Sequence, residues 1–337
     1  MGTSGLRFWQ KGTKRNTKAK PLTHYDYTIG WISPLEVDLI AALEMLDEKH
    51  GKLPQSPADP NVYHFGSIAG HNIIMVGLQR PGNSEAAIVT AQMRITFPNI
   101  RLNLLVGIGG GVPVRTEQGM IRLGHIVVSK PVGQYSGTIQ YERGKSEVGG
   151  FLRYGFLPPP PPVLLLAAQS LAAHRARKRH DPLIENIQRI DTSDPRLHRY
   201  RYPGADKDLL SPALYHHGQE RISCVESDYD CDMRQRIPKS SVSNIPDILV
   251  HRGTIASGEF PVMNGEERDQ IGKQYGALCF EREAAGASSS FPCLVIRGIS
   301  NYCDSHQDNR WHGFASAAAA AYARELFFHM PVYQMKK

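Results

Sequence analysis

The stretch CFEREAAGASSSFPCLVIRGISNYCDSH, residues 279–306, sets an uninterrupted apolar run between two polar clusters. Glu281 and Glu283 flank Arg282 at its start, and the small run Ala284-Ala285-Gly286 follows, which lets a helix pack closely. Cys293-Leu294-Val295-Ile296 reads as a buried strand. That strand is expected to stop at Arg297-Gly298-Ile299-Ser300, with Asn301, Asp304, Ser305 and His306 beyond it. Polar groups at the carboxyl end of a buried strand stand where open α/β sheets place ligands. A structural account is equally open here: Arg297 and Asp304 as an ion pair, and Glu281 and Glu283 on a solvated helix face.

Upstream, strand and helix signals alternate. Tyr27 to Ile32 reads as a first strand, and Ser33-Pro34-Leu35-Glu36 as a helix start, with Ser at N-cap, Pro at N1 and Glu at N3. Leu39, Ile40, Leu43 and Leu46 supply the helical stripe. Val62 to Leu78 reads as a hairpin and Ser84 to Phe97 as a helix. Leu104-Leu105-Val106 is a buried strand ending in a glycine-rich turn, Gly107 to Gly111, and Ile121 to Ser129 another strand. Pro158 to Pro162 open a helix that runs to about Lys178. Residues 180–250 are polar and irregular and are expected to be a partly disordered insertion. Signal returns at Ile248 to Val250 and at Gly253 to Gly258, and the last helix spans Ala315 to about Phe328. This alternation predicts an α/β sheet between helices, one domain over residues 23–330.

The net charge of +7 misleads, because residues 1–22 carry six of the 39 basic residues and no acid. That leaves 33 bases against 32 acids elsewhere, so the body is not a nucleic-acid surface by charge. The arm is expected to be disordered, and is a candidate localisation signal or anion-binding arm. No apolar run approaches a membrane span, and residues 1–22 lack a signal-peptide core. Five cysteines without a secretory signal point to reduced thiols and an intracellular, cytoplasmic protein. Cys224 and Cys231 lack zinc-site spacing, and the sequence calls for no cofactor.

Three further features bear on chemistry. Gly107 to Gly111 would bring backbone N–H groups near a ligand, Gly109 and Gly110 at its centre, unless the turn is purely structural. It is neither a phosphate-binding G-x-x-x-x-G-K-[ST] loop nor a good G-x-G-x-x-G. Glu36 and Asp38 lie about 200° apart on the first helix, so only one can face a cleft. The capping box explains Glu36 and leaves Asp38 as the freer candidate. Gly253 to Phe260 ends in small residues and an aromatic; Phe260 either stacks on a flat ligand ring or fills the core.

Taken in order, Ile29 to Ile32, Val106 to Pro113, Ile121 to Gly124, Ile255 to Gly258, Phe280 to Gly286 and Phe291 to His306 resemble the nucleoside phosphorylase and nucleosidase superfamily. The likeness extends to the purine nucleoside phosphorylase-type domains of fungal NLR-like chains. It implies a three-layer phosphorylase-like fold with a mixed central sheet, and a homo-oligomer. It implies cleavage of the N-glycosidic bond of a purine nucleoside or nucleotide, through an oxocarbenium-like ribosyl cation. The family's water-orienting acid falls on Asp38, where glutamate is usual. The ribose-binding glutamate of its E-x-E falls on Glu283, beside Glu281, and its purine-protonating acid falls on Asn301. Ser257 and Phe260 fall in the purine-lining segment, and Asp304 and His306 are nearby reserve acids.

Three positions depart from that pattern. Asn301 cannot give up a full proton but can donate and accept hydrogen bonds at a purine edge, and phosphorylases of 6-oxopurines resemble it there. Arg282 replaces the usual methionine, where it could engage a phosphorylated substrate or block the site. The phosphate-holding arginine and serine of the phosphorylases fall on Leu105 and Ile108. A buried phosphate without a charged partner is costly, which favours water as nucleophile.

Overall fold

The computed structural model describes residues 21–214, 247–306 and 309–332, and the backbone of residues 235–236. Nine strands and seven helices position the site. They are β1 (Ile29–Ser33), α1 (Glu36–Glu44), β2 (Tyr63–Ile68), β3 (His71–Gly77), α2 (Asn83–Thr96), β4 (Leu102–Gly111), β5 (Ile126–Ser129) and β6 (Thr138–Gln140). Then follow α3 (Pro162–Arg177), α4 (Pro182–Ile187), β7 (Val250–Ser257), α5 (Gly265–Tyr275), β8 (Ala277–Glu281), α6 (Ala284–Ser290), β9 (Cys293–Asn301) and α7 (His312–Phe327).

The sheet runs β8-β7-β5-β9-β4-β1-β3-β2, with β6 beside β7 and a short Glu48–Lys49 edge beyond β2. Pairing is mixed. β1 is parallel to β3 and β4, and β9 to β4, whereas β9 and β5 are antiparallel. β8 also pairs antiparallel with the end of β4, Cys279 opposite Gly111 and Phe280 opposite Gly110. One end of the sheet therefore curls back on itself and carries three strand ends, those of β4, β8 and β9, to one place.

Helices flank this sheet. α7 gathers α1, α3 and α4, while α2 packs on α6. Every residue of the alanine-rich run Ala315–Ala323 of α7 is buried, Ser316 included. Small side chains let its backbone lie on the sheet: a Cβ at Gly298 would sit 1.9 Å from the Ala315 carbonyl oxygen. Gly286 does the same for α6 and α2, with the Asn83 carbonyl oxygen 1.7 Å from its absent Cβ.

Several boundaries move. The glycine run 107–111 is not a turn but the second half of β4, committed to ladders with β9 and β8. β9 does not stop at Arg297 but continues to Asn301, because the glycine-rich β4 beside it leaves room for its side chains. The strand expected over Ile121 to Ser129 is only Ile126–Ser129. α1 begins at Glu36, so Asp38 rather than Glu36 occupies N3, and Ser33 ends β1. Within the expected insertion, residues 181–214 are described and carry defined local structure. Asp181 caps α4 through the Leu183 N–H at 3.0 Å, and the Tyr200 hydroxyl donates to the Val37 carbonyl at 2.8 Å. Cys224, Cys231 and the basic arm to Lys20 lie outside the described residues. Among the described residues no helix is long and apolar enough to cross a membrane.

Candidate active site

A cleft of about 260 Å³ opens where β4, β8 and β9 end, roofed by the start of α1 and the segment Phe260-Pro261-Val262. Asp38, Gly109, Gly110, Phe260, Glu281, Arg282, Glu283 and Asn301 all line it. All eight are candidates in the sequence, scattered over more than 260 positions.

The centre of the cleft is a cation. Arg297, 1 % exposed, reaches from β9 and gives one nitrogen, Nη2, to two carboxylates. It donates to Glu281 Oε2 at 2.6 Å and to Glu283 Oε2 at 2.9 Å, while Nη1 donates to the Ile108 carbonyl at 3.1 Å. The pairing of Arg297 with Asp304 does not occur, and neither glutamate is on a solvated face: both are buried. Glu281 is spent on structure. Its Oε2 also accepts the Glu283 and Ala284 backbone N–H groups at 3.0 and 2.9 Å, fixing the start of α6. Glu283 accepts the Arg282 N–H at 3.3 Å through Oε2, and none of these bonds uses its Oε1. Burial pushes the Glu283 carboxyl upward, with Arg297 pulling it back and Glu281 adding to the rise.

Asp38 stands across the cleft. As the N3 residue of α1 it turns back to accept the Leu35 N–H at 3.2 Å, and its other oxygen accepts the Ser316 hydroxyl of α7. Its burial raises the carboxyl to about 6, against the lowering by Ser316 and Arg297. Gly107 makes this approach feasible, since a Cβ there would come within 2.6 Å of Asp38 Oδ2. The carboxyl is thus no spare surface acid but a buried one, held well above the ordinary carboxylate range.

Asn301 ends β9 with its Oδ1 accepting the Cys303 N–H at 2.9 Å and its Nδ2 donating to Ser300 Oγ at 3.3 Å. Arg282 lines the wall and ties down the mouth, its Nε donating to the Glu259 carbonyl at 3.0 Å. Phe260, expected either to stack on a ligand or to fill the core, is 74 % exposed at that mouth.

Three predicted residues lie elsewhere. Ser257 is fully buried; its hydroxyl donates to Asn83 Oδ1 at 3.2 Å and accepts the Ala285 N–H at 3.0 Å, latching β7 to α2 and α6. Asp304 and His306 line a small pocket behind Asn301 with Lys207 and Leu209. There Asp304 accepts the His306 N–H at 3.0 Å and His306 Nδ1 meets Ser211 Oγ at 2.7 Å. Sequence reading missed Ser316 and His312, both from α7, and the clamp role of Arg297. An alanine-rich helix with one serine facing the sheet carried no signal of its own.

Three buried carboxylates thus gather around one guanidinium at the joined ends of three strands. The phosphorylase superfamily profile matches residues 29–327. The chain belongs to the phosphorylase superfamily. It is 38% identical over 303 residues to a nucleotide-binding leucine-rich repeat (NLR)-like protein of Hyaloscypha variabilis, covering 89% of this chain and 29% of that protein. An 88-residue match at 33% identity to the ATP nucleosidase Cap17 of Escherichia coli covers 24% of this chain and 17% of the relative. The chain thus spans less than a third of the length of either relative. Among solved structures, the futalosine hydrolase of Helicobacter pylori superposes with a TM-score of 0.57 at 15% identity, covering 90% of this chain and 98% of that one. The 5'-methylthioadenosine/S-adenosyl homocysteine nucleosidase of Helicobacter pylori gives 0.55 at 15% identity, covering 89% and 97%. These confirm the phosphorylase-like fold, a mixed central sheet flanked by helices.

Proposed function

We propose that this domain is a purine nucleosidase, which hydrolyses the N-glycosidic bond of a purine nucleoside or nucleotide. The observation that carries this is the facing arrangement of Asp38 and the Arg297-held Glu283 in one cleft. Glu283, with Oε1 outside the clamp, accepts ribose hydroxyls. Asp38, at about 6, holds and deprotonates the attacking water. The carboxylates also complement the positive charge that grows on the ribosyl ring. Asn301 offers its amide N–H to the purine edge, its carbonyl already holding the Cys303 N–H. Phe260 closes over the base at the mouth, and Gly109 and Gly110 leave the floor open for it.

Water is preferred to phosphate because of charge. Leu105 is buried core and Ile108 is apolar, and the guanidinium at the centre of the cleft is already shared by two carboxylates. A phosphate dianion there would face net negative charge. The ATP nucleosidase named among the relatives supports including 5′-phosphorylated substrates in the test. Incubation with inosine, guanosine, adenosine and ATP, with and without phosphate, should release base at the same rate in both buffers. Strict dependence on phosphate would instead make the domain a phosphorylase.

One observation favours a second reading. With Asp304 turned away, the cleft holds no acid at the position of Asn301. A nucleotide-binding domain without turnover would be stabilised thermally by a nucleoside and form no product. A homo-oligomer belongs to either reading and is checked by light scattering on the eluted protein.

A further inference from the structure

We propose that His174, Glu325 and His329 form a binding site for a zinc-like divalent transition metal, which pins the ends of α3 and α7 together. The three side chains are half-buried, and their candidate ligand atoms all lie within 4.8 Å of one another. Two come from α7 and the turn after it, one helical turn apart; the third comes from the last turns of α3. No sequence spacing announces such a set, because its members lie on two helices more than 150 positions apart.

The geometry is that of a gap rather than of a bond. Glu325 Oε1 and His329 Nε2 are 3.9 Å apart, too far for a hydrogen bond. The His174 and His329 rings meet edge to face at 5.1 Å between centroids. Ligands on a tetrahedral zinc, with bonds of about 2.0–2.2 Å, stand about 3.3 Å from one another. Closing from 3.9 Å requires about half an ångström for that pair, and separations of up to 4.8 Å within the set require at most about 1.5 Å.

What distinguishes the cluster from a chance pair of imidazoles is its support. Ser170, on the same face of α3 as His174, has its Oγ 3.0 Å from His329 Nδ1. That contact occupies one ring nitrogen and leaves Nε2 toward Glu325. Asn186 Nδ2 donates to Glu325 Oε2 at 3.0 Å, leaving Oε1 toward His329, and Arg324 Nε donates to Asn186 Oδ1 at 2.9 Å to hold that amide in turn. Each α7-side ligand thus has its second polar atom fixed, as metal ligands usually do. Two imidazoles and a carboxylate suit zinc and leave a fourth position for water. The role is structural. The site lies at the opposite end of α7 from His312, which lines the cleft about 20 Å away along the helix.

The test uses the full chain without an affinity tag, stripped with chelator and titrated with zinc chloride by calorimetry. Cobalt serves as a spectroscopic substitute. The expected result is one zinc per chain, and a melting temperature raised by about 5 °C at one hundred times Kd. His174→Ala and His329→Ala should each abolish that equivalent, and Ser170→Ala should weaken it by roughly 10-fold. Zinc bound with unchanged stoichiometry by the His174→Ala/His329→Ala variant, as it would be if Cys224 and Cys231 held it, overturns the site. So does the absence of binding at micromolar zinc.

Discussion

Arg297→Met removes the cation that Glu281 and Glu283 share. Side-chain exposures are 1% for the arginine and 0% and 4% for the two glutamates, so the surviving carboxylates stay largely desolvated. Breaking a buried pair from one side costs about 3–5 kcal/mol, because the surviving charges stay buried. The lost bond to the Ile108 carbonyl adds about 1 kcal/mol. Against a typical domain stability of about 5–15 kcal/mol this is a large share, on the order of 10 °C in melting temperature. The deficit must also depend on pH. Without Arg297, which lowers the Glu283 pKa, that carboxyl holds its proton still more tightly in the folded state. The folded variant then binds more protons than its unfolded chain, so its stability rises as pH falls, by up to about 1.4 kcal/mol per pH unit for each extra proton. Thermal and urea unfolding at pH 8 and pH 5.5 should therefore show a large deficit that shrinks on acidification. Arg297→Met/Glu281→Gln/Glu283→Gln, with no buried charge left, should recover much of it. A single variant within about 1 kcal/mol of the parent at pH 8, or a deficit unchanged at pH 5.5, refutes the clamp.

Asp38→Asn should cut base release by about 10²–10⁴, measured by chromatography, while leaving the fold intact. Burial raises this carboxyl from 3.8 to about 6, so its contribution to stability is present below 3.8 and falls as pH rises to about 6; the variant should therefore gain on the parent progressively through that range and level off above it. In the parent, base release should rise with pH through about 6, and Ser316→Ala, which removes a bond that lowers this pKa, should move that limb upward. Asn301→Asp keeps an acceptor for the Cys303 N–H and adds a titratable oxygen; release from adenosine should rise relative to inosine by about 10² or more. Asn83→Ala removes the acceptor of Ser257 and Gly286 and the donor to the Gly258 carbonyl, and should cost about 1–3 kcal/mol in urea unfolding.

The order of elements was legible because it rests on local signals. Apolar runs, the proline before α3 and the small residues of α6 each act over a few positions. What escaped was whatever depends on neighbours. Gly107 to Gly111 looks like a turn in isolation, and becomes strand because β8 and β9 flank it. Glu36 and Asp38 are both acceptable capping acids, and the start of α1 two residues later than the Ser33-Pro34 signal gives N3 to Asp38. Its proximity to Ser316, 278 positions away, follows only from how α7 lies on the sheet.

The site residues divide along the same line, and β9 shows why. Its ladder with β4 runs in step from Cys293–Asn103 to Ile299–Gly109, then skips, so that Asn301 rather than Ser300 faces Gly110. An irregularity of this kind re-aims side chains at the end of a strand. In a regular strand Ser300 and Asn301 would point to opposite faces. Here both line the cleft. Asn301 can lie at that point because Gly110 has no Cβ, which would meet its Oδ1 at 2.8 Å. The chain then turns through Cys303 at φ 52°, carrying Asp304 and His306 out of the cleft toward Ser211. The skipped register therefore bears on which of four neighbouring polar residues line the cleft. It places the amide of Asn301 where an acid would be expected and removes the acids that could have replaced it. If the domain acts as the proposed nucleosidase, the lack of an acid at this point follows from backbone path as much as from residue type, and supplying one requires a substitution at position 301 itself.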